Sequence, residues 1–413
     1  MENVKQAAIL IGGKGTRLGN AVRAMPKPLL EVGGRPFVEH IMRNLRRFGF
    51  TDFILLAGYQ SEVVKDYYSA DSSLAIELQC SITVVVESTP LGTGGALKSA
   101  QDYLQEEFLL LNGDSIFDFN YLDLSNCTRL DEPEDWICRV ALLPVEAAMR
   151  YGFVALEGSR VKAFREKPAA PESGTINSGV YWVKSDIFNY IDETPCSLEQ
   201  HVFPRLVVQG RLVGRVYHGF FIDIGIPEDL QKARDHLVDN LRKPAAFLDR
   251  DGTLNHDDGY THKIEEFHWV EGAMDAIRRL NDAGFLVFIV TNQAGIARGY
   301  YEAAAVDALH AWMQGDLGRI GAHFDDVRYC PHHPQGKIPE LSIVCDCRKP
   351  ATGMLDSLIA QWQPDLSRSF MLGDSDKDVQ AGRAVGIHSR KIVPEQILQE
   401  VEQLIADVDF LPP

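Results

Sequence analysis

Short apolar runs alternate with amphipathic helical stretches along all 413 residues, and the series starts afresh near residue 240. This alternation limits the fold more than any other feature. A strand followed by a covering helix, repeated, builds a mostly parallel sheet with helices on its faces. In the first half the runs are AAILIGG (7–13), FILLAG (53–58), ITVVVE (82–87) and FLLLNGD (108–114), separated by helix-like stretches such as PFVEHIMRNLRRFG and GGALKSAQDYL. A polar helical segment over 231–242 stops before Pro244, and a new strand, AAFLD, follows. The second series is FLVFIVTN (285–292), DVRYC (326–330) and SFMLGD (369–374), with helices expected near 271–283, 302–316 and 376–385. Two α/β domains are expected, 1–240 and 241–413, in line with roughly 100–200 residues per domain.

Composition narrows the class of partner. A hydrophobic content of 45% with 24% charged residues is that of a packed globular chain. A net charge of -17 argues against nucleic acid or an anionic membrane as the main partner, although a local patch of Lys and Arg can still bind small anions. No apolar run reaches the length of about 18 residues that spans a bilayer, and residues 1–13 read as a first strand, not a signal peptide. Seven cysteines, an odd number, disfavour a complete disulfide framework. Cys80, Cys127, Cys138 and Cys196 are scattered, whereas Cys330, Cys345 and Cys347 crowd together. A reducing cytoplasmic setting is the expectation.

After the first strand comes Gly12-Gly13-Lys14-Gly15-Thr16-Arg17-Leu18, then Pro26-Lys27-Pro28. Glycines in a turn after a strand let backbone N–H groups approach phosphates unobstructed. Arg17 and Lys27 add positive charge where charge builds up during phosphoryl or nucleotidyl transfer. Asp114 and Asp223 each follow an apolar run and suit Mg²⁺, which takes one or two carboxylates plus substrate phosphates. A single Asp in such a place is as often a turn or cap residue.

The GGxGTRL and PKP pair resembles the sugar-1-phosphate nucleotidyltransferases, and the resemblance runs through the whole first half. It implies that Gly12, Gly13, Gly15, Thr16 and Arg17 bind the nucleotide, together with Gly92 and Thr93 of Leu91–Ala96. It implies that Asp114 of Asn112-Gly113-Asp114 and Asp223 of FIDIGIPE bind Mg²⁺. Glu166 and Lys167 of Glu166-Lys167-Pro168, with Asn177 and Gly179 of Asn177-Ser178-Gly179, would line the sugar-phosphate pocket. Ile11 departs from the small residue many relatives carry before the glycine pair, which touches packing more than chemistry. The implied reaction is in-line attack by a sugar-1-phosphate oxygen on the α-phosphorus of a nucleoside triphosphate, with pyrophosphate leaving.

In the second half Asp249-Arg250-Asp251-Gly252-Thr253 closes the first strand. Of two carboxylates two residues apart, one can attack phosphorus while the other donates and then accepts a proton. Thr291 at a strand end, Arg348-Lys349-Pro350, and Asp374 with Asp378 follow in order. This set resembles the haloacid-dehalogenase-like phosphatases. The resemblance implies Asp249 as nucleophile and Asp251 as acid/base, with Thr291 and Lys349 holding the phosphoryl group, and Arg348 is a further cation suited to it. It further implies that Asn292 and Gln293 contact the sugar phosphate, and that Asp249, Asp251 (through its backbone carbonyl) and Asp374 bind Mg²⁺. The short stretch between Asp251 and Thr291 leaves little room for a cap domain, so a small, open active site is expected.

Cys330-Pro331-His332 and Cys345-Asp346-Cys347 supply three thiolates and an imidazole, a closed set that fits a structural zinc. His333 is the competing imidazole, and the C-x-H spacing of the family favours His332. DRDGTLNHDDGYTH, TNQAGIARG, YCPHHPQG and CDCRKPATGML look most like heptose bisphosphate 7-phosphatases, with histidinol-phosphate phosphatases as the related alternative. Ser375 departs from the Lys that some relatives place beside the magnesium aspartate.

The expected fold class is therefore α/β: a Rossmann-like nucleotidyltransferase sheet, then a capless haloacid-dehalogenase-like domain with a zinc loop. Joined, the halves imply a bifunctional enzyme that removes the 7-phosphate of D-glycero-D-manno-heptose 1,7-bisphosphate and activates the resulting 1-phosphate, with GTP the favoured nucleotide and the α-anomer favoured by pathway logic. Its partners would be sugar phosphates and a nucleoside triphosphate, not nucleic acid or membrane, with self-association left open. Competing readings are another phosphatase fused to a mannose or glucose 1-phosphate nucleotidyltransferase, a sensing domain that regulates the phosphatase, and an assembly scaffold. Retention of Arg17, Lys27, Asp114 and Asp223 weighs against the last two.

Overall fold

A computed structural model describes residues 6–13, 18, 25–68, 72–126, 131–148, 152–165 and 172–407. The chain divides into two compact units, Met1–Asp239 and Asn240–Pro413. Among the described residues no helix is long and apolar enough to cross a membrane.

The first unit is built on a nine-stranded sheet whose order is Ser81–Val86, Asp52–Ala57, Gln6–Leu10, Glu107–Asn112, Glu172–Lys184, Cys138–Ala148, Leu212–Val216, Arg160–Arg165, Phe153–Glu157. The first four strands are parallel, as the apolar runs predict. Leu212–Val216 is parallel to Cys138–Ala148 as well, but the other pairings correct the expectation of a mostly parallel sheet. Glu172–Lys184 runs antiparallel to both Glu107–Asn112 and Cys138–Ala148, and Arg160–Arg165 is antiparallel to its neighbours. Long strands joined by short turns need no helical crossover, so they lack the strand–helix alternation that marks a parallel sheet. Phe108, Leu110, Val140, Tyr181 and Val183 meet Leu97, Phe203 and Leu206 of the covering helices in one core.

The second unit has a five-stranded sheet in the order Asp326–Cys330, Leu286–Asn292, Ala245–Leu248, Phe370–Gly373, His388–Lys391, all parallel. Its central strands are apolar up to their carboxyl ends, where Thr291 and Asn292 stand, because both faces are covered. Ala246, Leu248, Val287 and Ile289 pack on one side with helices Ala273–Asp282 and Ile397–Asp407. Ala245, Phe247, Leu286 and Phe288 pack on the other against Gly353–Trp362. That alternation follows from the two-residue repeat of a strand.

Both sheets end in sharp turns at the carboxyl edges of their parallel strands, where ligands bind in open α/β sheets. In the first unit the turn into the helix Gly92–Ser99 is pressed against residues 196–198. The N–H groups of Gly94 and Gly95 both reach the carbonyl of Cys196, at 2.8 and 3.2 Å. Gly92 has φ +76, and a Cβ there would stand 2.5 Å from the Cys196 carbonyl oxygen. Gly92→Ala adds both a strained dihedral and a backbone clash, of the order of 1–3 kcal/mol. Calorimetry of the variant should show the unfolding transition of the first unit shifted down and that of the second unit unmoved.

Candidate active sites and metal centre

In the first unit the four parallel strands open onto a cleft of about 660 Å³ whose lining includes Gly12, Gly13, Lys27, Gly92, Thr93 and Asp114. Lys27 is 7% exposed, and its ammonium contacts the Asp114 carboxylate directly and stands 3.6 Å from Asp223. Local pairing brings those two aspartates together. Ser115–Phe117 and Phe221–Asp223 form a two-stranded antiparallel ribbon with Asp223 opposite Ser115, and the Ile224 N–H donates to the Asp114 carbonyl at 3.0 Å. A buried ammonium between two carboxylates satisfies charges that would be costly alone.

The remaining sequence-predicted residues of this unit fall into three groups. Gly12 and Gly13 line the cleft as expected from their place after the first strand. Thr93 lines it too, but its hydroxyl is occupied: it donates to Glu199 Oε2 at 2.8 Å and accepts from the Leu198 N–H at 2.9 Å. Asn177 is bound within its own strand, its Oδ1 accepting from the Gly179 N–H at 3.0 Å and its Nδ2 donating to the Tyr181 hydroxyl at 2.7 Å. Gly179, at φ +79, backs onto Asn112 so closely that a Cβ would stand 2.4 Å from Asn112 Nδ2. Gly15, Thr16, Arg17, Glu166 and Lys167 lie outside the described residues. Two acidic residues among the cleft's lining escaped the sequence reading. Glu199 ties the glycine turn to the helical segment after Ser197, and Glu87 accepts the Leu91 N–H at 2.8 Å while burial raises its pKa. Neither stands in a glycine-rich motif, so only the tertiary contact reveals it.

The second site sits where Ala245–Leu248, Leu286–Asn292 and Phe370–Gly373 end side by side. Lys349, 2% exposed, places its ammonium 2.7 Å from Asp249 Oδ1, 2.6 Å from Asp378 Oδ1 and 2.6 Å from the Val290 carbonyl. Burial raises the Asp249 pKa to about 7 against the opposing pull of Lys349, and Asp378 and Asp251 raise it further. Burial also raises Asp374, with Asp378 the next contributor and Asp257 a smaller one. Carboxylate oxygens of Asp249, Asp374 and Asp378 lie within 4.8 Å of one another. Gly252, at φ +80, leaves the space: a Cβ there would be 2.4 Å from Asp374 Oδ2. Asp378 is also bound to Ser375, whose backbone N–H and hydroxyl donate to Oδ2 at 3.1 and 2.7 Å, a capping box for the helix Asp376–Ala384. Ser375 therefore serves as that helix's N-cap.

Asp251 faces the other way. Arg250 grips its carboxylate with Nε on Oδ1 at 2.9 Å and Nη2 on Oδ2 at 3.0 Å, and Gln293 Nε2 adds a donor to Oδ2 at 2.7 Å. Its side chain is thus outside the Asp249–Asp374–Asp378 cluster. Gln293 is 1% exposed and is held by Tyr301, while also donating to Thr291 Oγ1 at 3.0 Å. Asn292 makes a two-way clamp with the Lys349 backbone, at 3.0 and 3.1 Å. In this structure these two amides hold Asp251 and Lys349. A side-chain amide next to a strand end reads as polar lining in a sequence, and only its partners show that it faces inward.

Between Thr291 and Lys349 the loop gathers Cys330, His332, Cys345 and Cys347, with all four ligand atoms within 4.8 Å of one another. The sulfurs stand 3.2–3.5 Å apart, far from bonding distance, and His332 Nδ1 is 3.2 Å from Cys347 Sγ. His333 is outside the group and accepts the Gln335 N–H at 3.1 Å. Partial burial, then the charges of Arg348, Arg298 and Lys377, push its pKa down. Arg348 donates to the His332 carbonyl at 3.3 Å, which ties the cysteine loop to the residue before Lys349. Among the described residues every cysteine is free of a disulfide, including Cys80, Cys138 and Cys196.

Residues 6–240 match the nucleotidyl transferase family, and residues 346–391 match the HAD-hydrolase-like family. The chain is 46% identical over 167 residues to the D-glycero-beta-D-manno-heptose-1,7-bisphosphate 7-phosphatase of Rhodopseudomonas palustris, a match that covers 40% of this chain and 93% of that protein. It is 45% identical over 150 residues to the enzyme of the same name in Escherichia coli K12, covering 36% of this chain and 78% of that one. The crystal structure of HddC from Yersinia pseudotuberculosis is 30% identical with a TM-score of 0.50, and the likeness covers 57% of this chain and all of that one, 100%. The chain accordingly belongs to the nucleotidyl transferase family through its first unit and to the haloacid-dehalogenase-like heptose bisphosphate phosphatases through its second, a fusion of the two.

Proposed function

We propose that this chain makes a nucleotide-activated heptose in two steps. Its second unit removes the 7-phosphate of D-glycero-D-manno-heptose 1,7-bisphosphate, and its first unit transfers GMP from GTP to the remaining 1-phosphate. The observation that carries this reading is the presence, in one chain, of two separate carboxylate–lysine constellations at strand ends. Asp249 and Asp378 flank Lys349 in one, with Asp374 beside them, and Asp114 and Asp223 flank Lys27 in the other. A bisphosphate trimmed by one site leaves the kind of monophosphate the other consumes. A histidinol phosphate offers no such hand-off.

In the phosphatase step an Asp249 oxygen attacks phosphorus, the bond from phosphorus to the sugar oxygen breaks, and Asp251 gives that oxygen a proton. Water then attacks the aspartyl phosphate, Asp251 takes the proton, and inorganic phosphate leaves with Asp249 restored. Lys349 and Thr291 neutralise and hold the phosphoryl oxygens, and the Arg250–Gln293 clamp keeps Asp251 at the strand end between the two proton transfers. The clustered oxygens of Asp249, Asp374 and Asp378 fit a hard divalent cation such as Mg²⁺, with the Asp251 carbonyl as a further oxygen donor. When bound, Mg²⁺ would offset charge on the transferring group.

In the transferase step the glycine turns at Gly12–Gly13 and Gly92 leave room for a triphosphate, and Lys27 and Arg17 stabilise charge at the α-phosphorus. Asp114 and Asp223 would hold the cation of that site, while Glu166, Lys167 and the Asn177–Gly179 segment would form the sugar-phosphate wall. Asp249→Asn should abolish phosphate release and spare pyrophosphate release, and Asp114→Ala should do the reverse. Loss of both activities in a folded single variant would contradict two independent sites. Supplying α- and β-anomers separately in the same assay assigns the anomer.

The sulfur separations are close to the spacing of roughly 3.8 Å expected for thiolates about 2.3 Å from a tetrahedral zinc, so Zn²⁺ fits the Cys330–His332–Cys345–Cys347 set. Its role would be structural, stiffening the loop that carries Arg348 and Lys349. Elemental analysis should find about one zinc per chain. Cys345→Ser should lower both the zinc content and the phosphatase rate while pyrophosphate release continues. Active protein free of zinc would remove the metal from this account.

A further inference from the structure

A histidine stands in the second unit where helix periodicity calls for an apolar residue. Along the helix Ala303–Gly318 the buried positions Val306, Leu309, His310, Met313 and Leu317 form one stripe, and His310 is the titratable side chain among them. It is 3% exposed. Its Nδ1 is buried without a hydrogen-bond partner, while its Nε2 stands 3.2 Å from Nη1 of Arg250. A guanidinium has donors and no acceptor, so the shared proton belongs to Arg250 and Nε2 offers its lone pair. The ring is then neutral, with its own proton on the orphaned Nδ1. Burial, and next the charge of Arg250, push the His310 pKa down to about 3, which keeps that lone pair available. A buried donor left unpaired is costly, and a leucine in the stripe would avoid the cost. Packing alone therefore does not account for a histidine here.

The bond matters because of what Arg250 holds. Arg250 is fully buried, and its other donors go to two acceptors. Nε and Nη2 grip the Asp251 carboxylate at 2.9 and 3.0 Å, and Nη2 also reaches the Thr261 carbonyl at 2.7 Å. The guanidinium is planar and rigid, so fixing Nη1 at its far corner fixes the direction of the Nε–Nη2 edge. Gln293, itself held by Tyr301, closes the other side of Asp251 at 2.7 Å. Without Nε2, the Nη1 group would be charged, buried and unpaired, and the guanidinium would turn to satisfy it.

We propose that His310 is a positioning residue for the acid/base of the phosphatase step: by accepting from Arg250 it locks the guanidinium edge that holds the Asp251 carboxylate. This rests on the phosphatase reading of the second unit and adds the support on which its two proton transfers depend. In the first step Asp249 bonds phosphorus, the bond to the leaving oxygen breaks, and Asp251 gives that oxygen its proton. In the second, a water oxygen bonds phosphorus, the bond to Asp249 breaks, and Asp251 takes the proton from water. A sugar alkoxide needs that first proton to leave, whereas p-nitrophenolate is a stable anion and leaves without it. A loosened Asp251 therefore slows both steps for a sugar phosphate, but only the second for p-nitrophenyl phosphate.

Rapid mixing of the full chain and Mg²⁺ with each substrate reads these steps apart. His310→Leu fills the stripe and removes the acceptor. It should lower kcat for D-glycero-D-manno-heptose 1,7-bisphosphate about tenfold, the scale of one lost hydrogen bond to a charged group. KM should stay within about twofold, since no contact to substrate is lost. The first turnover of p-nitrophenyl phosphate, read as the first p-nitrophenolate released per chain, should also stay within about twofold of the parent. His310→Gln, whose amide oxygen reaches toward Arg250, should restore most of the bisphosphate kcat, and the shorter His310→Asn should not. An unchanged bisphosphate kcat in His310→Leu would overturn the positioning role. So would a first p-nitrophenyl phosphate turnover slowed as much as the bisphosphate, or a Gln variant no better than the Leu variant. A parent chain inert toward both substrates would overturn the phosphatase reading and the proposal with it.

Discussion

A lysine ammonium almost without access to water sits between two carboxylates in each unit: Lys27 between Asp114 and Asp223, and Lys349 between Asp249 and Asp378. An unpaired buried charge costs several kcal/mol, so neither lysine nor the aspartates around it could occupy these places alone. The surrounding structure follows from that requirement. Strands must end where the aspartates begin, glycines must stand where a Cβ would collide, and the loops that return to the site must be tied down. Gly252 beside Asp374 and Gly179 beside Asn112 are the clearest cases. Each constellation also holds more carboxyls than ammonium groups, which leaves charge for a divalent cation.

Much of this was legible because the chemistry falls at strand ends and the strands are apolar. Gly12, Asp114, Asp249, Thr291 and Asp374 all stand next to runs that read as strands, and the resemblance to the family's C-x-H spacing favoured His332 over His333, as the cluster has it. The second sheet was legible for the same reason, since its central strands are covered on both faces. The far half of the first sheet was not. Cys138–Ala148 and Glu172–Lys184 pair antiparallel and follow no strand–helix alternation, so the pattern that revealed the other strands was absent. Contacts between distant segments were hidden as well: Glu199 on Thr93, Gln293 on Asp251 and Asn292 on Lys349 join residues whose closeness exists only after folding. Asp378 illustrates the middle ground, visible in sequence as a companion of Asp374 but placed in the carboxylate cluster only by the capping turn at Ser375.

An acidic protein that works on phosphates must concentrate its positive charge. Each unit sets one buried lysine between carboxylates near the ends of its parallel strands, Lys27 in the first and Lys349 in the second, whereas ion pairs at the surface contribute little to stability. The Ser375 cap on Asp378 and the Asn292 clamp on the Lys349 backbone hold the second of these constellations in place by hydrogen bonding.

The central claim is that the two sites act in sequence on one sugar, and product analysis with the intact chain tests it most directly. With D-glycero-D-manno-heptose 1,7-bisphosphate, GTP and Mg²⁺, the parent chain should release phosphate and pyrophosphate and form GDP-heptose. The Asp249→Asn chain should form none from the bisphosphate, and added heptose 1-phosphate should restore it, because a second phosphate in the transferase pocket would need cations of its own. Efficient formation of GDP-heptose 7-phosphate by that variant would contradict the order and the reason for the fusion.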